Sequence, residues 1–152
     1  MTYKIVEQTP TITAGAYSDL DAVGGLLEFE DVCTAYSNAF EIVRAIIRDN
    51  AKQDAKLYLI LFSKTFTPTA DNDAFAVSDA DLANIVGALL IVDYVSFNAN
   101  SLGTVDEEHR RMSFPGLLVE SGTSLFGQLM VETSTPTYAA VDDLSVELVI
   151  RR

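Results

Sequence analysis

The stretch "KLYLILFSK", residues 56–64, decides the fold. Leu57–Phe62 is a short unbroken apolar run held between two lysines. It reads as a strand with apolar side chains on both faces, whereas a half-solvated antiparallel strand would alternate. Lys56 and Lys64 flank it as charges that discourage edge-to-edge aggregation. The second face needs a cover, from the rest of the same chain or from another subunit.

Outward from this stretch the two-residue period recurs and the helical period is scarce. In "YKIVEQ", Tyr3, Ile5 and Glu7 share a face. In "GLLEFEDVC", Leu27, Phe29 and Asp31 oppose Leu26, Glu28 and Glu30. "AFEIVRAIIRD" sets Phe40, Ile42 and Ile46 against Glu41 and Val43. "GALLIVDYVSF", "GLLVE" and "SLFGQLMVE" follow, and "LSVELVIRR" sets Val146, Leu148 and Ile150 against Glu147 and Arg151. About eight such strands, separated by Gly, Pro, Asn, Asp and Thr, define an all-β antiparallel domain of sandwich, jelly-roll or barrel type. One short helix is expected at Ser78–Ile85, with Ser78 as its cap, Asp79 and Asp81 at its positive end, and Gly87 ending the turn. No boundary divides residues 1–152, which read as one domain with 1–13 as an extended N-terminal arm.

Three prolines lie in a repeated tripeptide, Thr-Pro-Thr, at residues 9–11, 67–69 and 135–137. Proline donates nothing to a ladder and keeps its predecessor extended. Acids follow each copy and suit side-chain-to-backbone turns. The three copies are expected to be corners of one β-framework.

The formal charge is −12, from 22 acids and 10 bases. So acidic a surface repels phosphate backbones, which argues against a nucleic-acid partner. Arg110–Arg111 and Arg151–Arg152 are isolated pairs and read as strand ends. The apolar stretch Ile85–Val92 is far shorter than a bilayer span, and "MTYKIVEQTP" lacks the pattern of a secretory signal. The single cysteine, Cys33, permits no internal disulfide and suits a chain assembled in a reducing cytosol.

Catalytic chemistry finds no purchase. His109 is the only histidine and sits in the charged phrase "DEEHRR". No nucleophile elbow, dinucleotide fingerprint or phosphate loop is present. In "DNDAFAVSDAD", Asp71, Asp73, Asp79 and Asp81 could offer oxygens to calcium, but Phe75, Ala76 and Leu82 break the EF-hand spacing. A turn followed by a capped helix accounts for the same residues. The chain therefore reads as a non-enzyme with no cofactor and no metal. Tyr17, Tyr36, Tyr94 and Tyr138 are the rings available to a sugar platform, with corner and sheet packing as their plainer use. The apolar strands 57–62 and 88–92 suggest an obligate homo-oligomer, with a trimer favoured and Leu59, Leu61 and Leu90 near the contact.

"ITAGAYSDLDAVGGLLEF" near the start and "SLFGQLMVETSTPTYAAVDDLSVELVIRR" at the end resemble a group of small virion structural proteins of tailed bacteriophages. Asp21, Gly24, Gly25, Asp142, Asp143 and Leu144 carry the match. The resemblance implies a capsid decoration, or cement, protein that binds the major capsid protein on the outer surface of the head. It is implied to assemble in the host cytoplasm and to end in the virion. Because loops and termini carry function on a rigid β-scaffold, the corner residues Asp19, Asp21, Asp142 and Asp143, with the arm Thr2–Thr13, are the expected contacts. A receptor- or glycan-binding fibre module and a head–tail or tail component are the alternatives.

Overall fold

The computed structural model describes residues 2–34, 39–105 and 123–152, together with the backbone of 112–114. Its strands are β1 (Tyr3–Gln8), β2 (Gly15–Ala16), β3 (Ala22–Phe29), β4 (Phe40–Asp49), β5 (Leu57–Phe62), β6 (Ile85–Ser96), β7 (Ser101–Val105), β8 (Met112–Phe114), β9 (Leu125–Val131), β10 (Thr137–Tyr138) and β11 (Leu144–Arg151). The helix α1 (Asp79–Leu82) is a single turn. The protein is all-β, as its alternating segments predict. Among the described residues, one antiparallel sheet runs β1-β11-β4-β7-β6-β5-β9-β3, with β8 also pairing β4. It curls until β1 approaches β3, giving a nearly closed, sandwich-like barrel. No ladder joins β1 to β3. Polar contacts span that seam instead: Lys4 Nζ donates to Glu30 O at 3.1 Å and pairs with Asp31, while Arg152 Nη1 donates to Asp31 O at 2.6 Å.

The inward faces follow period two. Leu57, Leu59 and Leu61 of β5 meet Leu89 and Ile91 of β6, Leu125, Leu129 and Val131 of β9, and the wholly buried row Leu144, Val146, Leu148 and Ile150 of β11. Residues 3–8 of the expected N-terminal arm are sheet: β1 pairs with β11 from Tyr3↔Arg151 to Gln8↔Val146. Val6 faces the core, whereas Tyr3 and Ile5 are exposed.

Two expected faces are altered by irregularities of the ladder. In β4 the register runs Val149↔Arg44 and then Ile150↔Ile42, so Val43 is an extra residue. A bulge of this kind reverses the phase of the strand. Phe40, Ile42, Ala45 and Ile47 therefore face the core, and Ile46 moves to the outer face, away from Phe40 and Ile42. In β3, Val23 pairs with Leu129 and Leu27 with Gly127, leaving Gly24, Gly25 and Leu26 opposite the single residue Gln128. Asp31 lies in the turn beyond β3 with φ 55°, not on the face of Leu27 and Phe29.

The cover over the second face of β5 comes from the chain itself. Residues 63–77 run back across the outside of β5 and β9. Ile60 and Phe62 pack there with Phe66, Phe126, Leu26, Phe75 and Val77. The rings of Phe62 and Phe66 stack with centroids 3.8 Å apart. Ser78 caps α1 as expected, its Oγ accepting from Asp81 N. The helix stops at Leu82, however, and Gly87 belongs to β6 opposite Leu61.

Candidate functional site

The first and third Thr-Pro-Thr corners lie at one end of the barrel, which also carries the 49–55 loop, the β6–β7 hairpin and the turn before β11. The second lies on the outer face, where Thr67 N donates to Asp81 of α1 and Thr69 meets Gln128. Asp71, two residues beyond the second copy, ties the first corner down. Its carboxylate accepts from Thr13 N at 2.7 Å, Thr13 Oγ1 at 2.6 Å, the Tyr17 hydroxyl at 2.9 Å and Gly24 N at 2.6 Å. Tyr17 N in turn donates to Pro136 O of the third corner at 2.8 Å. β2 pairs with β10, and Tyr17 meets Tyr138 edge-on with centroids 5.7 Å apart. Burial and the Asp71 carboxylate push the Tyr17 hydroxyl up to about 12. Burial likewise raises Tyr138 and Tyr94, the latter donating its hydroxyl to Ala55 O. Tyr17 and Tyr138 are thus corner packing, with no ring face exposed to a sugar. Tyr36 and His109 lie outside the described residues.

Gln128 holds the covering segment. It is fully buried on the outer face of β9, where its Nε2 donates to Gly24 O at 2.8 Å and Thr69 O at 2.7 Å. Its Oε1 accepts from Thr69 N at 3.1 Å. Asp49 plays the matching part in the 49–55 loop, accepting from the backbone N–H groups of Ala51, Gln53 and Asp54. Burial raises its carboxyl above the usual range, against those three hydrogen bonds.

The corner acids come to this same end. Asp19 Oδ1 accepts from Thr133 N at 2.7 Å, and Asp21 Oδ2 accepts from Ser18 N at 2.6 Å. Asp143 Oδ2 accepts from Ala139 N and Ala140 N, and its backbone carbonyl accepts from Asn50 N. Asp142 is exposed beside it. The apolar candidates lie elsewhere. Leu59 and Leu61 are wholly buried inside the barrel, and Leu90 is half-buried on the outside of β6 opposite Tyr58.

Asp71 is occupied by protein donors, and Asp79 and Asp81 belong to the first turn of α1. Among the described residues no three His, Cys, Asp or Glu side chains group as a metal site would require. Arg151 is paired with Glu41, and Arg152 is engaged at the β1–β3 seam. Cys33 is buried just beyond β3, and burial raises its thiol. A cavity of about 290 Å³ is lined by Val43, Arg44, Ala45, Asp93, Thr104 and Val105, and another of about 200 Å³ by Arg48, Asn50, Phe97, Asn100, Ser101 and Leu102. An open one of about 520 Å³ lies between Thr67–Thr69 and Ala76–Ser78, where Ser78 and Asp81 bond each other in the cap of α1.

Three residues that hold the corners and the covering segment were absent from the expected site. Asp71 stood only among calcium candidates, although its place after Thr-Pro-Thr marks it as a corner acid. Gln128 is the lone polar side chain between apolar residues of "LFGQLMV". Asp49 ends an apolar strand before a polar loop.

No protein family model matches the chain, and no curated protein or solved structure has detectable similarity to it.

Proposed function

We propose that this protein is a capsid decoration protein of a tailed bacteriophage, which binds the outer surface of the assembled head and stabilises it. The observation that carries the reading is the resemblance of both chain ends to such virion proteins. The residues that carry it lie close to two corners at one end of the fold: Asp21, Gly24 and Gly25 follow the first corner into β3, and Asp142, Asp143 and Leu144 follow the third into β11. The two segments are distant in sequence and paired in the fold, β2 against β10. The net charge of −12 suits an outer shell surface better than one facing packaged DNA. Decoration works by mass action and needs no reactive group. A ligand that binds the assembled shell and not free coat subunits lowers the free energy of the shell, by about 2.7 kcal/mol per site when its concentration is 100 times Kd. Self-association, with a trimer favoured, would add avidity. Its surface on this chain would be the outer side of β6, around Leu90.

The test is a particle reconstruction, with heat resistance compared between particles that carry and lack the protein. Density in hundreds of copies over the shell, with earlier DNA release when the protein is missing, is the expected result. Density confined to the tail or its vertex, or unchanged heat resistance, would refute the reading.

A further inference from the structure

We infer that the corner-bearing end of the barrel is the docking face, and that it seats apolar anchors Leu20, Phe97 and Val141 on a positively charged protein surface. This rests on the decoration reading, in which that surface belongs to the coat shell. Leu20, Phe97 and Val141 are 53%, 52% and 61% exposed. All three are loop residues of this one end. Leu20 lies in the first corner, Phe97 in the β6–β7 hairpin and Val141 in the turn before β11. Lone exposed apolar residues are ordinary, but three on separate loops of one end form a spaced set.

The loops that carry them are joined into one rim. Ser96 Oγ donates to Asp54 at 2.7 Å, linking the hairpin to the 49–55 loop. Asn50 N donates to Asp143 O at 2.8 Å, linking that loop to the Val141 turn. Gln53 Oε1 accepts from Thr137 N at 2.9 Å. Thr133 N donates to Asp19, closing the path to Leu20. A rim ordered in advance loses little freedom on binding. Leu20 itself sits at φ 68°, a region that leucine rarely adopts.

Charge selects the partner. Asp19, Asp21, Asp54, Asp142 and Asp143 lie on the loops of this end. Its cations are Lys52, Lys56 and Arg48, the last lining a cavity with Phe97 and already paired with Glu147 and Glu7. Complementary potential steers such a face to lysine- or arginine-bearing protein and makes binding salt-sensitive.

The experiment adds purified chain to heads, lacking it, of the virus whose genome encodes it, and measures co-sedimentation at two ionic strengths. The triple variant Leu20→Asn, Phe97→Ser, Val141→Thr should weaken binding about 100-fold or more, since buried apolar anchors dominate such interfaces. Asparagine tolerates the left-handed backbone at position 20, so the fold should survive, as circular dichroism will show. Asp142→Lys at an exposed position should weaken binding about tenfold and reduce its salt dependence. The control Tyr3→Ser, Ile5→Thr on β1 should bind as the parent does. Full binding by both the triple variant and Asp142→Lys overturns the inference while the decoration reading stands. No binding by the parent chain overturns the decoration reading and the inference with it.

Discussion

Gly24 shows how one residue can hold two elements together. Its φ is 70°, and a Cβ there would lie 2.6 Å from Pro10 Cβ. Its N–H reaches Asp71 and its carbonyl reaches Gln128. Gly24→Ala should therefore cost about 2–4 kcal/mol, combining left-handed strain with overpacking, as read from a denaturant midpoint. Gly25 has open space where a Cβ would stand, so Gly25→Ala should be much milder. Equal losses at the two positions would contradict this account. Asp71→Ala should cost about 3 kcal/mol, because Thr13 N, Gly24 N and the Tyr17 hydroxyl would lose their acceptor. Leu20→Asn should instead raise stability by about 0.5–1 kcal/mol by relieving the left-handed leucine. The pair Gly24–Gly25 is plain in the sequence, but which glycine is obligatory is not. That depends on Pro10, which only the folded chain brings alongside.

The segment 63–77 explains why the apolar run of β5 resists a reading from local pattern. Two-sided burial was legible from "LYLILF", whereas the identity of the cover was not, since a subunit and a returning loop leave the same trace in the strand. The cover uses Phe66, Phe75 and Val77 scattered among Thr, Asp and Ala, a spacing with no strand or helix period. The bulge at Val43 hid in the same way. Both phases of "FEIVRAII" contain apolar residues, so the sequence permits either face to turn inward. Helix α1 was legible because its Ser-Asp-Ala-Asp start is local chemistry, and its end was not because Gly87 is held by pairing with Leu61. Gln128→Leu tests the anchoring of the cover. The change leaves Gly24 O and both backbone groups of Thr69 without their partner. It should cost about 2–4 kcal/mol and speed amide exchange across residues 66–76, while residues 57–62 stay protected. Slow exchange over both stretches would show that the phenylalanine stack alone holds the segment. Phe66→Ala should cost about 3 kcal/mol through the stack on Phe62.

At the scale of the whole molecule, the interior of the corner-bearing end is aromatic as well as aliphatic, and that gives it a pH signature. Of the 6 tyrosines in the chain, Tyr17, Tyr94 and Tyr138 have hydroxyls raised by burial, with Asp71 adding to the effect on Tyr17 and Asp49 to that on the other two. Raised tyrosines hold their protons in the native state after the unfolded chain has released them. Unfolding then releases protons, and stability falls as pH rises. For Tyr17 the window opens near the ordinary tyrosine value of 10 and closes at about 12; the other two extend it upward. Below about pH 9 these groups are protonated in both states and add no slope. The denaturant midpoint should decline steadily between about pH 10 and 12, and the decline should be shallower in Tyr17→Phe. Absorbance at 295 nm should show the same barrier: at about pH 10.5 the folded protein should reach only part of the tyrosinate signal of the unfolded chain, with the remainder appearing as the β circular-dichroism signal is lost. The full tyrosinate signal at that pH, with the β signal intact, would mean that water reaches all three hydroxyls and that this end of the barrel is open.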